Sequence, residues 1–351
     1  MSPQPSLNNH VVLACAGGRK TTGIVAAVVA HRDRRVLVTT YTNENLDQLT
    51  QCFIRHCGCV PANVTLVTWF SFLLNECVRP YQPAVTNAPR INSLFFDRLP
   101  QGLRYVAKTD ADRYYLTSGN NIYSERTAEF ACAADDASGG KVIGRLEQLF
   151  DAIYIDELQD LASYDQIFLD KLFKSRVAMT CVGDPRQATY ATNHGRRNSQ
   201  FRGEGIVDWL NEVSRAAQLS IEHRSESYRC NQQICDFADA LWPDMPRTVS
   251  VDVPVTAHDG IFLITRADVE SYVREHRPVV LRYSKATKRT MGLPSINFGL
   301  SKGRTYDRVL IFPTAGIRRY LDTRAVEDAG DIPKFYVAVT RARFSVAFVL
   351  D

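Results

Sequence analysis

The sequence predicts an α/β fold in which parallel strands alternate with helices. Three observations support this. Short, continuously apolar segments that fit buried strands alternate with segments that fit helices along most of the chain. One such strand runs directly into a small-residue loop and a helix-compatible segment near the start of the chain. Acidic and polar residues follow immediately after other strands, where open α/β sheets place their ligands. The 351 residues are enough for two domains of this kind.

The first predicted domain covers residues 1–218. Its opening elements are an apolar strand from Val11, a helix over 23–31, a strand over 36–39, a helix over 43–56 and a strand over 64–67. Residues 79–148 hold a small insertion, broken by prolines and predicted to contain a turn-rich loop over 135–141. Strands resume over 152–155 and 177–182, so the insertion interrupts a single sheet.

The second predicted domain covers residues 219–351. It contains a helix over 231–241 and strands over 261–265, 279–283, 308–312 and 345–350. Only residues 284–294 separate the second of these strands from the next polar segment, which is too short for an inserted domain. We therefore expect two compact α/β domains.

The amino-acid composition limits the classes of protein to which the chain can belong. Hydrophobic residues make up 45% and charged residues 23%, which is typical of a soluble globular protein. The net charge of +4 permits a nucleic-acid partner without requiring one. No apolar run approaches the ~18 residues of a membrane span, and no signal peptide is found, so we expect a cytoplasmic protein without membrane contact.

The nine cysteines, an odd number in apolar surroundings, indicate reduced and mostly buried thiols. Cys52, His56, Cys57 and Cys59 form the one cluster that suggests zinc. No second ligand pair lies nearby, and Gly58 fits the C-cap of a helix, so the structural interpretation is favoured.

Residues 11–22, VVLACAGGRKTT, have the order that a phosphate-binding loop needs: a strand, a small-residue loop and a helix N-terminus. Lys20 is placed to meet the β- and γ-phosphates, and the Thr21 hydroxyl to coordinate Mg²⁺. The pattern departs from GxxxxGK[ST] in that Ala14 and Arg19 replace its two glycines. A side chain at Arg19 costs about 1 kcal/mol if its φ is positive.

Two carboxylates end the strand over 152–155. Asp156 is suited to hold Mg²⁺ through a water, and Glu157 to activate an attacking water. A solvated turn is the alternative, but the upstream Lys-Thr loop favours the functional interpretation. Gln187 follows the next strand end and is an uncharged group able to contact a γ-phosphate.

These segments resemble the ordered motifs of superfamily 1 helicases of the UvrD/Rep type, over most of the chain outside the insertion. The matching segments are AGGRKTT (16–22), TYTN (40–43), TWFSF (68–72), DELQD (156–160), GDPRQATY (183–190), SYRC (227–230), SKGRTYDRVLI (301–311) and YVAVTRAR (336–343). Several motifs in one order are far stronger evidence than any single one.

The resemblance implies two RecA-like P-loop domains, with ATP in the cleft between them and Mg²⁺ as the metal. The implied catalytic residues are Lys20, Asp156, Glu157, Gln187, Arg229 and Arg341, the last as an arginine finger. The implied nucleotide contacts are Ala16, Gly17, Gly18, Arg19, Lys20, Thr21, Thr22, Tyr228 and Gly303, and the implied metal ligands are Thr21 and Asp156.

The resemblance also implies a single-stranded DNA surface built from Tyr41, Thr42, Asn43, Trp69, Phe72, Tyr190 and Asn297. Core packing is an equally good interpretation of Trp69 and Phe72, because TWFSFLL is apolar throughout. Base selectivity stays open, because only Gln4 stands where the family has its adenine-reading glutamine.

The function implied is an ATP-dependent DNA helicase or translocase, stimulated by single-stranded DNA and moving 3′-to-5′. RNA is not excluded as a partner. Two alternatives remain open. The chain is the motor subunit of a larger repair or anti-phage defence complex with a nuclease, or it is an ATP-gated DNA-binding module with weak hydrolysis.

Overall fold

The computed structural model describes residues 9–97, 99–189, 197–287 and 290–350. They form two compact units. Within the described residues, unit 1 comprises 9–13, 20–185 and 197–222, and unit 2 comprises 14–19, 186–189, 223–287 and 290–350. The main break therefore follows residue 222, four residues after the predicted boundary. Two short loop segments, 14–19 and 186–189, belong to unit 2 although the chain on either side of them belongs to unit 1.

Unit 1 is built on a six-stranded sheet. Its strands are β1 (Asn9–Ala14), β2 (Val36–Thr40), β3 (Val64–Thr68), β6 (Ala152–Ile155), β7 (Ala178–Gly183) and β8 (Leu219–Arg224), in the order β3-β2-β6-β7-β1-β8. The pairs β2–β3, β2–β6, β6–β7 and β1–β7 are parallel. All five residues of β2 are buried, which fits the three consecutive apolar residues Val36, Leu37 and Val38 at its start. The predicted parallel α/β fold is confirmed.

Helices surround this sheet and connect its strands. They are α1 (Lys20–Val29), α2 (Asn43–Cys57), α3 (Trp69–Phe72), α4 (Ala111–Tyr115), α5 (Ser124–Ala137), α6 (Lys141–Leu149), α7 (Tyr164–Phe173) and α8 (Ile206–Ala217). Helix α1 begins three residues before the predicted start at Gly23. Gly58, with φ +83°, caps the end of α2 as the sequence predicts. Strand β8 lies at the edge of this sheet, beyond the predicted end of the first domain.

The insertion is more regular than the sequence predicts. It contains a two-stranded parallel sheet, β4 (Leu94–Phe95) with β5 (Ile122–Tyr123), and the helices α4, α5 and α6. The loop expected over 135–141 is shorter in the structure, where it covers 138–140, because α5 continues to residue 137 and α6 starts at 141. Asp135 looks like a loop residue in the sequence. In the structure it is buried, its carboxylate accepting bonds from Lys171 Nζ at 2.9 Å and from the Ile143 amide at 3.1 Å.

Unit 2 contains a five-stranded parallel sheet. Its strands are β11 (Gly260–Thr265), β12 (Val279–Arg282), β13 (Ser295–Asn297), β14 (Tyr306–Phe312) and β15 (Ala342–Leu350), in the order β11-β15-β14-β12-β13. A smaller parallel pair joins β9 (Glu226–Ser227) to β10 (Val249–Ser250). The helices are α9 (Gln232–Asp239), α10 (Val269–His276), α11 (Ala315–Thr323) and α12 (Ile332–Val339). Phe237, Phe335 and Phe348 pack at the centre of the core.

The described residues lack two features. No helix there is both long and apolar enough to cross a membrane. No group of three or more His, Cys, Asp or Glu side chains in the same residues is arranged to hold a metal ion. The cluster around Cys57 thus gains no support as a zinc site, and its thiol donates to the Phe53 carbonyl at 3.2 Å. The nine cysteines form no disulfide in the described residues.

Candidate nucleotide and nucleic-acid sites

In unit 1, the first turn of α1 carries two predicted site residues. Lys20 is the first residue of the helix and Thr21 the second. Both are partly buried, whereas Thr22 is exposed. The first turn of α1 contains no acidic residue, so the amide groups and the positive end of the helix dipole are not neutralised there. This is the environment that favours an anion such as a phosphate group.

Asp156, which follows β6, faces Thr21. The Thr21 hydroxyl donates a hydrogen bond of 2.9 Å to Asp156 Oδ2, and the Glu157 amide donates one of 2.9 Å to Asp156 Oδ1. The Asp156 side chain is only 4% exposed. Burial, with the nearby Glu157 charge as a second cause, raises the pKa of Asp156 to about 6. The structure thus brings together the two residues predicted as metal ligands.

A Mg²⁺ ion fits this pair of side chains. Magnesium is usually bound through one or two carboxylates, with water and substrate phosphates supplying the remaining oxygens. Thr21 and Asp156 offer a hydroxyl and a carboxylate side by side at the N-terminus of α1. The absence of a larger acidic cluster in the described residues is therefore compatible with magnesium held partly by a nucleotide.

Glu157 occupies a strained position. Its φ of +61° lies in the left-handed region, which is uncommon for residues other than glycine. Its Oε2 accepts a hydrogen bond from Gln159 Nε2, and Gln159 Oε1 accepts the Asp184 amide at 3.0 Å. A glutamine thus links the ends of β6 and β7 and orients the Glu157 carboxylate. The sequence alone did not indicate that Gln159 orients Glu157.

In unit 2, the loop 14–19 is fixed against the segment 224–229. The Cys15 amide donates to the Arg224 carbonyl at 3.1 Å, and the Ser227 hydroxyl donates to the Ala16 carbonyl at 2.7 Å. Gly17 has a φ of +80°, and a Cβ added there would lie 2.7 Å from Arg229 Cβ. A Cβ at Gly18 would lie 3.0 Å from Ala14 Cβ. Both glycines therefore permit the close approach of backbone that this loop requires.

Arg19, the unusual residue of the loop, has a φ of +52°. The positive φ on which the predicted strain depends is therefore present. Its guanidinium carbon lies 3.5 Å from the centroid of the Tyr228 ring. The Tyr228 hydroxyl donates to Glu226 Oε2 at 2.6 Å, and this bond to a carboxylate raises the pKa of Tyr228.

Arg341 is buried and bound on several sides. Its side chain is 1% exposed and donates to the carbonyls of Val337 (3.0 Å) and Arg304 (3.3 Å). It also donates to Gln187 Oε1 at 2.9 Å. The structure therefore joins two predicted catalytic residues that lie 154 positions apart in the sequence.

Three other residues of the unit 2 motifs are Arg229, Gly303 and Arg343. Arg229 Nη1 donates to the Thr340 carbonyl at 3.2 Å, one residue before Arg341. Gly303 has a φ of +81°, which suits a tight turn after Lys302. Arg343 is more exposed and pairs with Asp307 at 3.2 Å.

Two residues of unit 2 contribute without having been predicted. The Ala16 amide donates to the Tyr336 hydroxyl at 3.4 Å, so Tyr336 supports the loop 14–19. Arg186 is nearly buried, pairs with Asp239 at 3.3 Å and lies over the Tyr336 ring. Tyr336 and Arg186 both belong to segments that resemble helicase motifs, and this was the sequence signal that could have identified them. Their contact partners, however, are far away in the sequence.

Part of the predicted DNA surface lies at the start of α2. Thr42 is the N-cap of this helix, its hydroxyl accepting the Asn45 amide at 3.1 Å. Asn43 is exposed, and Tyr41 is half-buried with its ring 5.7 Å from that of Phe70. Asn43 is thus the most exposed of these three residues.

Trp69 and Phe72 do not lie on a surface, which corrects their prediction as DNA contacts. Each side chain is 1% exposed, and the two rings lie 5.5 Å apart within the core. The Trp69 indole also donates to Asp165 Oδ1 at 2.6 Å. Neither ring presents a face on which a base can stack, so the core-packing interpretation describes them. Asn297 is half-buried with its Oδ1 bonded to Arg282, and Tyr190 lies outside the described residues.

Comparisons with known proteins agree with these motifs. A family model described as the UvrD/REP helicase N-terminal domain matches residues 122–199, which include Asp156, Glu157 and Gln187. No curated protein matches the chain.

Three solved structures are similar. The PRRSV helicase has 15% identity and a TM-score of 0.48, over 98% of this chain and 52% of that one. Arterivirus nonstructural protein 10 (helicase) in complex with DNA has 13% identity and a TM-score of 0.46, over 99% and 61%. A crystal structure of that arterivirus protein has 15% identity and a TM-score of 0.47, over 97% and 59%. This chain thus spans between 52% and 61% of the length of these structures.

Proposed function

We propose that this chain, whose residues 122–199 match the UvrD/REP helicase N-terminal domain, is a superfamily 1 helicase that hydrolyses ATP with Mg²⁺ and uses the energy to move 3′-to-5′ along single-stranded DNA. Helicases of this family use a nucleotide and a divalent metal. The observation that carries the proposal is the bond between Thr21, at the N-terminus of α1, and Asp156, at the end of β6. It pairs a hydroxyl and a carboxylate at the point where a helix favours phosphate.

Each proposed role follows from the chemistry of its side chain. Lys20 neutralises the β- and γ-phosphates, Thr21 and Asp156 hold Mg²⁺, and Glu157 activates the attacking water. Gln187 contacts the γ-phosphate. The cationic residues Arg229 and Arg341 stabilise the charge that develops during phosphoryl transfer, as arginine fingers do. The location of ATP between two domains stays a prediction.

The DNA contacts are proposed for the predicted residues that are not buried in the core. These are Tyr41, Thr42, Asn43 and Asn297, with Tyr190 as a prediction from the sequence alone. An aromatic ring stacks on any base, so a contact of this kind suits movement along an arbitrary sequence. DNA rather than RNA is proposed from the resemblance, and a cytoplasmic location from the composition.

Steady-state ATPase activity with and without single-stranded DNA tests the proposal. The motor predicts Mg²⁺-dependent hydrolysis that rises strongly with a single strand. ATP binding without turnover favours the ATP-gated binding module instead, a reading that the strained Arg19 keeps open. Stimulated hydrolysis that produces movement only when a nuclease or another subunit is added favours the complex.

A further inference from the structure

Two buried thiols flank the start of α9 in unit 2. Cys230 directly precedes the N-cap residue Asn231, whose side chain accepts the Ile234 amide at 3.1 Å, and Cys235 is the fourth residue of the helix. Cys230 is 1% exposed and Cys235 is 3% exposed. At these two positions a helix often carries a pair of apolar side chains that pack against each other, the hydrophobic staple. In this chain both members of the staple are cysteines.

The two thiols are held by the backbone around them. Cys235 Sγ donates to the Cys230 carbonyl at 3.6 Å, and Cys230 Sγ donates to the Thr340 carbonyl at 3.5 Å. The Thr340 carbonyl also accepts Arg229 Nη1 at 3.2 Å. The thiol pair therefore shares a contact with a residue that is proposed to act in catalysis.

The surroundings of the pair favour ionisation of one thiol over the other. When Cys230 ionises, a hydrogen bond from the Cys235 thiol to its sulfur is the main cause that lowers the pKa of Cys230. The charges of Arg229 and Arg341 lower it further, against the opposing effect of burial. The same hydrogen bond, together with burial, raises the pKa of Cys235. Cys230 is thus the nucleophilic thiol, and Cys235 keeps its proton.

We propose that Cys230 and Cys235 are a site of reversible oxidation, at which a hydroperoxide converts the two thiols into a disulfide and thereby lowers ATP turnover. The effect on turnover rests on the proposed function. A disulfide takes the Cys230 sulfur away from the Thr340 carbonyl, and this carbonyl binds Arg229. Arg229 is therefore expected to shift when the disulfide forms.

The oxidation proceeds in two steps with hydrogen peroxide as the oxidant. The Cys230 thiolate attacks one peroxide oxygen, the O–O bond breaks and hydroxide leaves, which converts Cys230 to a sulfenic acid. The Cys235 sulfur then attacks the Cys230 sulfur, the S–O bond breaks, and the hydroxyl leaves with the Cys235 proton as water. The sulfur pair loses two electrons to the peroxide. A dithiol such as dithiothreitol reverses the reaction by exchange.

Burial of the pair limits the oxidant to a small molecule. Hydrogen peroxide is scarcely larger than water and can enter through local openings of the fold. Cys59, in contrast, is exposed and open to larger reagents as well. It is therefore a suitable control for oxidation that has no connection with α9.

Mass spectrometry and ATPase kinetics on the full chain test the proposal. The reduced protein is treated with hydrogen peroxide, its free thiols are alkylated in denaturant, and it is digested with trypsin. The expected tryptic peptide 230–247 contains both cysteines and no others. The variants are Cys59→Ser and the double substitution Cys230→Ala with Cys235→Ala, and thermal melting checks that each is folded. The wild type before and after dithiothreitol gives the same comparison without any substitution.

Peroxide should yield a peptide 230–247 that is lighter by two hydrogen atoms and carries no alkyl group, in the wild type and in Cys59→Ser. Turnover of both should fall about 10–100-fold, because a displaced catalytic group has effects of this size. Dithiothreitol should restore the mass and the turnover. Turnover of the double variant should respond little to peroxide.

Three results would overturn the proposal. The first is oxidation of Cys59 without a disulfide in peptide 230–247, which shows that the pair does not react. The second is formation of the disulfide with unchanged turnover. The third is equal inhibition of the double variant and the wild type, which assigns the effect to other cysteines. A reduced wild type without ATPase activity refutes the proposed function instead, since the mass of peptide 230–247 reports the disulfide without ATP.

Discussion

Glu157 is the residue proposed to activate water, and its role can be separated from metal binding. The Glu157 amide donates to Asp156, and Glu157→Gln keeps this bond as well as the Thr21–Asp156 pair. We expect Mg·ATP affinity to stay close to the wild-type value while turnover falls about 10²–10⁴-fold, because the water loses its general base. Steady-state hydrolysis and equilibrium binding measure the two quantities.

The matched control is Glu270→Gln, the same chemical change at a surface ion pair with Arg274. Its turnover should equal that of the wild type, because exposed ion pairs contribute little. If Glu157→Gln turned over ATP as fast as this control, Glu157 would have no part in the mechanism.

Asp156 illustrates a conflict between stability and function. Its folded-state pKa is raised from 3.8 to about 6, so the folded chain holds a proton that the unfolded chain releases at lower pH. Stability therefore falls as pH rises through the window from about 4 to about 6. Above that window the folded state bears the cost of a buried carboxylate charge.

Asp156→Asn should remove this penalty. Without metal or nucleotide, we expect the variant to exceed the wild type in free energy of unfolding at pH 8, with the difference shrinking to zero as pH falls below about 4. Urea unfolding in EDTA at several pH values measures it. Mg²⁺-dependent turnover should be lost at the same time. A difference in free energy of unfolding between the variant and the wild type that grew toward acid pH would contradict this prediction.

Arg341 and Arg343 differ in burial, which sharpens the prediction of an arginine finger. Arg341→Ala should lower turnover at least ~10²-fold with little change in ATP affinity, because a finger acts mainly in the transition state. Arg343→Ala removes a more exposed contact with Asp307 and should be much milder. Since Arg341 also holds Gln187 and two carbonyls, urea unfolding must accompany the kinetics. Equal effects of the two substitutions on turnover would show the assignment to be wrong.

The loop 14–19 is sensitive to the addition of a single methyl group. Gly17→Ala adds a Cβ at a φ of +80°, 2.7 Å from both Arg229 Cβ and Ser227 Oγ. The positive φ alone costs about 1–2 kcal/mol, and the contacts add to it. We expect lower stability and at least ~10-fold weaker ATP binding, measured by urea unfolding and calorimetry.

Gly144 provides the matched control. It lies within α6, and a Cβ there would meet nothing within 4 Å. Gly144→Ala should raise the free energy of unfolding by about 0.5–1 kcal/mol and leave ATP binding unchanged. Wild-type ATP affinity in Gly17→Ala would remove the loop from the nucleotide site.

The sequence predicts the sheet elements well and the insertion poorly, for a physical reason. A strand such as β2 is buried on both faces, so it begins with three consecutive apolar residues, Val36 to Val38, a pattern that is visible without the structure. Helix α5 is buried too, but it includes Asp135, whose charge is compensated by Lys171 from α7. A compensating partner at a distance of 36 residues leaves no local signal.

For the chain as a whole, the candidate site is likewise predictable only where the residues leave a local signal in the sequence. Residues in strong local motifs, such as Thr21 and Asp156, were predictable, and the structure brings them together. The bond between Gln187 and Arg341 depends on tertiary contacts that neither motif contains. Trp69 shows the reverse error, because a motif match cannot distinguish a ring on a surface from one bonded to Asp165 in the core.

The small size of the segments inserted into the two units limits what the chain can do on its own. The second unit has only residues 283–294 between β12 and β13, too few for a domain. The insertion of unit 1 is also small, and its helices pack into the core of that unit. Movement along one strand requires nucleotide hydrolysis and a stacking surface, whereas strand separation also requires a surface that engages the duplex. We therefore expect a motor that displaces an obstacle, such as streptavidin bound to a biotinylated single strand, and unwinds long duplexes poorly.

Two assays on the purified chain test this expectation, with Glu157→Gln as the inactive control. Streptavidin displacement from the 5′ end of a single strand should depend on ATP, and displacement from the 3′ end should be slower if movement is 3′-to-5′. Unwinding of a duplex of several hundred base pairs should be weak under the same conditions. Processive unwinding by the chain alone would contradict the prediction. Unwinding that required an added partner would favour the motor-subunit alternative, because the partner would then supply the duplex-engaging surface that translocation itself does not need.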